Sequence, residues 1–186
     1  NRGKGFAIKL GMINASSQKY IAYIDAGLDL DSQVLKSMYD EIESKNLDFV
    51  VPSKLHKDSD VNYPNNRKIY SWGYQALIRC LFNFSISDTQ TGAKMYKSSA
   101  VKLFLNKTYI SRFTFEIEII YWLIRSGFTS YTEVPVKLSY DFKKKKQKTD
   151  IINIIIQTFL FWFFVRILNK IPKSNFNTQL KRVKYL

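Results

Sequence analysis

The run YIAYIDAGLDLD, Tyr20 to Asp31, leads an apolar stretch into three carboxylates, Asp25, Asp29 and Asp31. Hard oxygen donors of this kind suit Mg2+ or Mn2+ shared with a diphosphate, because these ions keep several waters and take one or two carboxylates plus substrate phosphates. Asp25 stands where an apolar strand would end, and in open α/β sheets ligands bind in the crevice beyond the carboxyl ends of the strands. Asp31 has a plainer reading: Ser32 and a helical pattern follow at once, so it prepares a helix N-terminus. For Asp25 and Asp29 the residues alone leave two possibilities, a metal site or a turn into that helix.

Other residues with chemistry to offer are scattered. Lys54 and Arg67 are either phosphate ligands or ordinary surface charges; Asp88 either faces a reacting centre or caps a turn before Gly92; Glu118 either acts in a site or meets a structural partner. Gly3, Lys4 and Gly5 hint at a phosphate loop, but GKG without the remaining P-loop pattern is weak support for a nucleoside triphosphatase. The single histidine, His56, lies in a polar loop and reads as a bystander.

These residues need elements to position them. Phe6, Ala7, Leu10 and Ile13 recur at helical spacing, YIAYID is a short strand, and Asp31 and Ser32 cap a helix whose buried stripe is Val34, Leu35, Met38 and Ile42. LDFVVPS reads as a buried strand, HKDSDVNYPNN as a loop, RKIYSWGYQALIRCLFNF as an amphipathic helix and TGAKMYK as a further strand. A helix from Ser98, a helix FEIEIIYWLIRSG closed by Gly127 and a strand around YTEVPVKLSY follow. This alternation predicts an α/β layered fold with a mostly parallel sheet.

The 186 residues are 46% hydrophobic, enough for one sizeable core. Lys and Arg number 29 against 15 acids, a net charge of +14, which favours phosphate-bearing partners. The lone Cys80, read as a core residue, excludes an intrachain disulfide framework and a cysteine zinc cluster, and argues for a reducing compartment. The chain opens at Asn1 without an initiator Met or a signal peptide, so it reads as a piece of something longer.

The C-terminal part changes character, with KKKKQK preceding DIINIIIQTFLFWFFVRIL. A helix over Ile151 to Leu168 would be about 27 Å long at about 1.5 Å per residue, short of a hydrocarbon core of about 30 Å. Asn153, Gln157 and Arg166 interrupt it, and basic residues flank both sides, whereas spanning helices show Lys/Arg asymmetry. An in-plane or re-entrant membrane helix is therefore expected over about 151–168, with the lysines at headgroup level. A buried core helix is the competing reading. The division is 1–142 for a catalytic portion and 143–186 for a basic, membrane-associated segment.

Taken in order, NRGKGFAIKLGM, YIAYIDAGLDLD, DFVVPSK, DTQTGAKMY, FTFEIEII and EVPVKL resemble the family 2 glycosyltransferases, in the branch that moves a sugar from a nucleotide to dolichyl or polyprenyl phosphate. The resemblance runs from Asn1 to about Leu138, and DTQTGAK looks most like the dolichyl-phosphate glucosyltransferases, with the mannosyltransferases close behind. It implies a GT-A-like (Rossmann-like) fold, an inverting hexosyl transfer, a UDP-glucose or GDP-mannose type donor, a polyprenyl-phosphate acceptor, Mg2+ or Mn2+, and association with the cytoplasmic face of an anionic membrane. The family's acidic motif is Asp-x-Asp with a further ligand two positions on; Asp25 and Asp29 match its ends, and Gly27 replaces the middle Asp. By the same resemblance Gly3, Lys4, Gly5 and Asp25 lie near the donor, and Asp88 and Glu118 are catalytic. Lys54, Arg67 and, loosely, Lys148 hold the acceptor phosphate. The family's first strands, which carry nucleotide recognition, would precede Asn1, and an alternative reading is that the chain alone is a catalytically incomplete fragment.

A rival class is a basic module binding anionic membrane or nucleic acid without catalysis, which 16% aromatic residues and the charge would suit. Acids gathered at a strand end and basic charge gathered around one apolar segment argue against it, and no nucleic acid is expected.

Overall fold

The computed structural model describes residues 3–27, 29–62, 65–108, 110, 114–139 and 148–167. Its elements are α1 (Lys4–Asn14), β1 (Tyr20–Ile24), α2 (Gln33–Ser44), β2 (Phe49–Ser53), β3 (Asp60–Asn62) and α3 (Asn65–Phe82). They continue with β4 (Ala93–Lys97), α4 (Ser98–Lys107), α5 (Phe115–Arg125), β5 (Tyr131–Pro135), β6 (Lys137–Ser139) and α6 (Lys148–Trp162), which runs into a π-helical turn, Phe163–Ile167.

The main sheet has the order β1-β4-β2-β5. The strand period of two sends alternate residues to opposite faces. Phe49 and Val51 of β2, Tyr96 of β4 and Ile21 of β1 enter one apolar layer with α3, α4 and α5. Val50, Met95 and Val134 enter the other, against Val34, Met38 and Ile42 of α2, three residues at the i, i+4, i+8 spacing of one helix face. Asp31 caps that helix, its Oδ1 accepting the Gln33 N–H at 2.9 Å.

The expectation of a mostly parallel sheet needs correction: the sheet is mixed. β4 is antiparallel to both β1 and β2, and β2 with β5 is its parallel pair. Apolar alternation marks a strand without encoding its direction, which the connection decides. The turn-rich segment 83–92 starts β4 beside the end of β1, where the Asp25 N–H donates to the Gly92 carbonyl at 2.6 Å. The polar stretch expected as pure loop contains β3, which pairs in parallel with β6, and the single strand expected at YTEVPVKLSY divides at Val136 between the two sheets.

Cys80 also departs from expectation: it is exposed. It lies two residues, about 200° of helix, from the fully buried Ile78, so it faces out.

The C-terminal helix is two-sided rather than apolar to lipid all round. Thr158, Phe161 and Val165 are buried; Phe161 stacks on Phe82 at 5.6 Å, and Tyr74 shares a 2.7 Å hydrogen bond with Thr158. Two of the three polar interruptions have partners within the protein: Gln157 accepts from Thr114, and Arg166 donates to the Phe82 carbonyl. Ile152, Ile156, Phe159, Leu160 and Ile167 are half or more exposed. Among the described residues no helix is long and apolar enough to cross a membrane. The lysine run 143–146 and Leu168 lie outside the described residues.

Candidate active site

Because β4 runs antiparallel to its neighbours, the carboxyl ends of β1 and β2 and the start of β4 share one edge of the sheet. Asp25, Lys54 and the segment from Asp88 to Gly92 meet there.

Asp25 follows β1, and its carboxylate lies over Gly92 so closely that a Cβ on Gly92 would be 2.3 Å from Oδ2. The Lys4 ammonium lies 2.9 Å from that carboxylate and 3.1 Å from Glu116 Oε1. Burial depresses the Lys4 pKa, but Glu116 and Asp25 outweigh it and hold the ammonium above the usual lysine range. Lys4 opens α1 after Gly3, whose φ of 94° and ψ of 157° belong to a region open essentially to glycine. Gly5 is buried against the Phe115 ring, where a Cβ would come within 2.8 Å. Gly3, Lys4 and Gly5 thus set a lysine beside Asp25.

Glu116, in the first turn of α5, is the acid the sequence reading passed over. Its side chain is 3% exposed; it accepts from Lys4 and from the Tyr23 hydroxyl at 3.2 Å, and Lys94 Nζ lies 3.7 Å from Oε2. Tyr23 and Lys94 are register partners across β1 and β4, which brings both to the same face. Burial pushes the Tyr23 phenol well above its ordinary value, with Glu116 adding to the effect, so it stays a donor. Burial lowers the Lys94 pKa against the opposing pull of Glu116. The available signal was Lys94 itself, since a lysine between Ala93 and Met95 in a buried strand needs a partner.

Glu118 does not join this group. Two residues along a helix is about 200°, so it faces away from Glu116. It accepts the Ile110 N–H at 2.9 Å, while Lys9 Nζ donates to the Ile110 carbonyl at 2.7 Å. Burial lowers Lys9 to about 8 despite the pull of Glu118. The structure thus places Glu118, expected as a catalytic acid, buried beside Ile110 and away from Asp25 and Glu116.

Asp88 is 1% exposed. Its carboxylate accepts from Lys54 N at 3.0 Å, Gln75 Nε2 at 3.2 Å, Gln90 N at 3.0 Å and Thr91 Oγ1, and pairs with Lys54 Nζ. Burial alone would raise its pKa; the Lys54 charge and these donors reverse that and hold it below the usual aspartate range. Glu133 of β5 fixes the preceding turn, accepting from Ser87 N and Oγ at 2.8 Å each. A carboxylate so saturated is an anchor: what it presents outward is Lys54, whose Nζ also donates to Thr91 Oγ1 at 2.6 Å. The structure thus places Asp88, expected beside a reacting centre, beneath Lys54.

Beyond Lys54 opens a groove of about 480 Å³ lined by Lys54, Leu55, Ser59, Val61, Lys68, Ile69, Ser71 and Trp72. Two lysines thus share its lining with apolar side chains. Arg67 belongs to the first turn of α3 and Lys148 starts α6, but both side chains lie outside the described residues.

Asp25 is the exposed carboxylate of this group, its side chain 44% exposed and paired with Lys4. Among the described residues no group of three or more His, Cys, Asp or Glu could hold a metal. A carboxylate is the kind of oxygen donor that Mg2+ or Mn2+ takes together with substrate phosphates and water.

The Gly92 contact gives a direct test. Gly92→Ala is expected to turn Asp25 away from Lys4 while costing only about 1–3 kcal/mol of stability, the usual range for overpacking. The variant's crystal structure and urea midpoint check both, and an unmoved Asp25 would refute the close approach.

The family described as glycosyl transferase family 2 matches residues 1–104. The chain is 31% identical over 127 residues to a dolichyl-phosphate beta-glucosyltransferase of Dictyostelium discoideum, and 24% identical over 132 residues to the Drosophila melanogaster protein of that name. Each match covers 65% of this chain, and the chain spans 38% and 39% of those relatives. A similar fold occurs in glucosyl-3-phosphoglycerate synthase from Mycobacterium tuberculosis, solved with Mn2+, uridine diphosphate and phosphoglyceric acid, with a TM-score of 0.63 at 15% identity over 87% of this chain and 54% of that one. The architecture is thus a GT-A-like α/β fold with a mixed sheet.

Proposed function

The chain belongs to glycosyl transferase family 2, and on that basis we propose that the protein carrying it moves a hexose from a nucleotide-sugar donor to a polyprenyl phosphate. The observation that carries this reading is the groove beside Lys54, which Lys54 and Lys68 line together with Leu55, Val61, Ile69 and Trp72. A phosphate at the head of a hydrocarbon chain needs both kinds of surface. The dolichyl-phosphate glucosyltransferase relatives support a UDP-glucose type donor, with a GDP-mannose type as the alternative. Residues 1–142 would form the C-terminal portion of the catalytic domain.

In the transfer, an oxygen of the lipid phosphate attacks the anomeric carbon as the bond from that carbon to the nucleoside diphosphate breaks, with inversion. A phosphate monoester has a second pKa of about 6, so the nucleophile is already largely anionic at neutral pH and no basic side chain is required. Positioning and charge then supply most of the acceleration. Lys54, steadied by Asp88 and Thr91, receives the acceptor phosphate and offsets its repulsion from the donor, with Arg67 and Lys148 as further cations on the acceptor side. Lys4, beside Asp25, complements charge on the departing diphosphate. Asp25 and Asp29 would hold a Mg2+ or Mn2+, which supplies Lewis-acid stabilisation of that leaving group when bound.

We place the protein at the cytoplasmic surface of a membrane, the exposed apolar face of α6 meeting lipid in the plane. That face, exposed Ile69, Tyr70 and Trp72 on α3 and the net charge of +14 support this placement.

The test is transfer of labelled hexose from UDP-glucose and GDP-mannose to polyprenyl phosphates of different chain length. Trp72→Ala, at an exposed position, should change stability by less than about 0.5 kcal/mol. It should raise KM for the long-chain acceptor about tenfold, the order expected when about 1.4 kcal/mol of apolar contact is lost. A KM rise equal for short and long chains would remove the groove from acceptor binding, and no lipid-linked product from either donor would remove the function.

A further inference from the structure

We infer that Glu116 is a positioning residue for the donor end of the site: it holds the Lys4 ammonium against Asp25. This rests on the glycosyl-transfer reading, in which that end meets a nucleoside diphosphate.

Lys4 is a long, flexible side chain at the first position of α1, and its stem alone does not fix the ammonium. Two carboxylates do so together. Asp25 is 44% exposed, so water competes for its half of the contact, whereas Glu116 is 3% exposed and provides the constant half. Glu116 is itself fixed by the Tyr23 hydroxyl, by Lys94 across the sheet and by its place in the first turn of α5, where the helix dipole favours a carboxylate. Lys94 Nζ in turn donates to the Thr91 carbonyl at 3.0 Å, and Thr91 Oγ1 bonds Asp88. Asp25, Lys4, Glu116, Lys94, Thr91, Asp88 and Lys54 therefore form one unbroken polar chain, in which charges of opposite sign face each other from the donor edge to the groove. Glu116 has no direct route to the exposed edge; its effect passes through Lys4.

The test uses the protein at its full length, with Glu116→Gln, Lys4→Met and their combination. Because Glu116→Gln leaves Lys94 buried without its counter-charge, Glu116→Gln/Lys94→Met is made alongside to remove both charges and spare the fold. Two readouts are taken, the rate at which Lys4 is acetylated, by mass spectrometry, and the affinity for uridine and guanosine diphosphate with Mn2+. Glu116→Gln and Glu116→Gln/Lys94→Met are expected to speed acetylation of Lys4 about tenfold and to weaken diphosphate binding about tenfold. In the Lys4→Met background, adding Glu116→Gln should weaken binding no further.

Unchanged acetylation overturns the inference. So does an equal loss of affinity on adding Glu116→Gln with or without Lys4, which would mark a general structural role. Parent protein that binds neither diphosphate overturns the donor assignment, and the donor role of Glu116 with it. The acetylation rates would then still separate that failure from failure of the contact itself.

Discussion

Asp25→Ala is expected to lower kcat/KM for hexose transfer by about 10²–10³ while leaving the protein folded. A metal-supported carboxylate contributes several kcal/mol to stabilising a leaving diphosphate, and each 1.36 kcal/mol is a factor of ten. The cost to folding is small because the Asp25 side chain is 44% exposed, and ion pairs at that exposure contribute about 0–1 kcal/mol. Glu116 remains to satisfy Lys4. Kinetics at saturating Mn2+ and a urea titration on the same preparation decide the matter. Undiminished transfer in a folded variant would refute Asp25 as the donor-side carboxylate, and a collapse in stability would mean its role is structural.

The second large effect lies at Asp88. Asp88→Asn keeps the shape but leaves the Lys54 ammonium, 11% exposed, without its charge partner. Breaking a buried pair from one side typically costs about 3–5 kcal/mol, and the slight exposure of Lys54 puts the expectation near about 3 kcal/mol. Adding Lys54→Met removes the stranded charge, so the double variant should be less destabilised than the sum of the singles by on the order of 2 kcal/mol. Transfer should not recover, because Lys54 is what Asp88 presents to the groove. Additive losses would refute the pairing, and restored transfer would refute the role of Lys54.

The same pair sets a pH dependence. The Asp88 pKa is depressed in the folded state, so its contribution is present above the ordinary aspartate value of about 3.9 and is lost as pH falls through the depressed value. The parent should lose stability on acidification across that window, and Asp88→Asn should lose less.

Much of the molecule was legible in the chain alone. The helix with Val34, Met38 and Ile42 on one face, the apolar strand ending at Asp25 and the buried strand before Lys54 follow from periodicity, because burying one face of an element imposes its period on the residues. The order of the short motifs carried the family. Strand direction was not legible, since apolar alternation reads the same either way, and the antiparallel course of β4 is what gathers Asp25, Lys54 and Asp88 at one edge. Nor could the chain choose between Glu116 and Glu118: both are acids in one helical turn, and which faces Lys4 depends on how α5 is rotated against α1 and the sheet. Cys80 and the C-terminal helix follow the same rule, as composition told how apolar a segment is, whereas packing on α3 and Phe82 decided which side of it is covered. The sequence by itself determined the helices, the longer apolar strands and the chemistry available, because these depend on residue type and local spacing. The tertiary structure alone decided which charges meet, because a buried ion pair joins residues that may stand 112 positions apart, as Lys4 and Glu116 do.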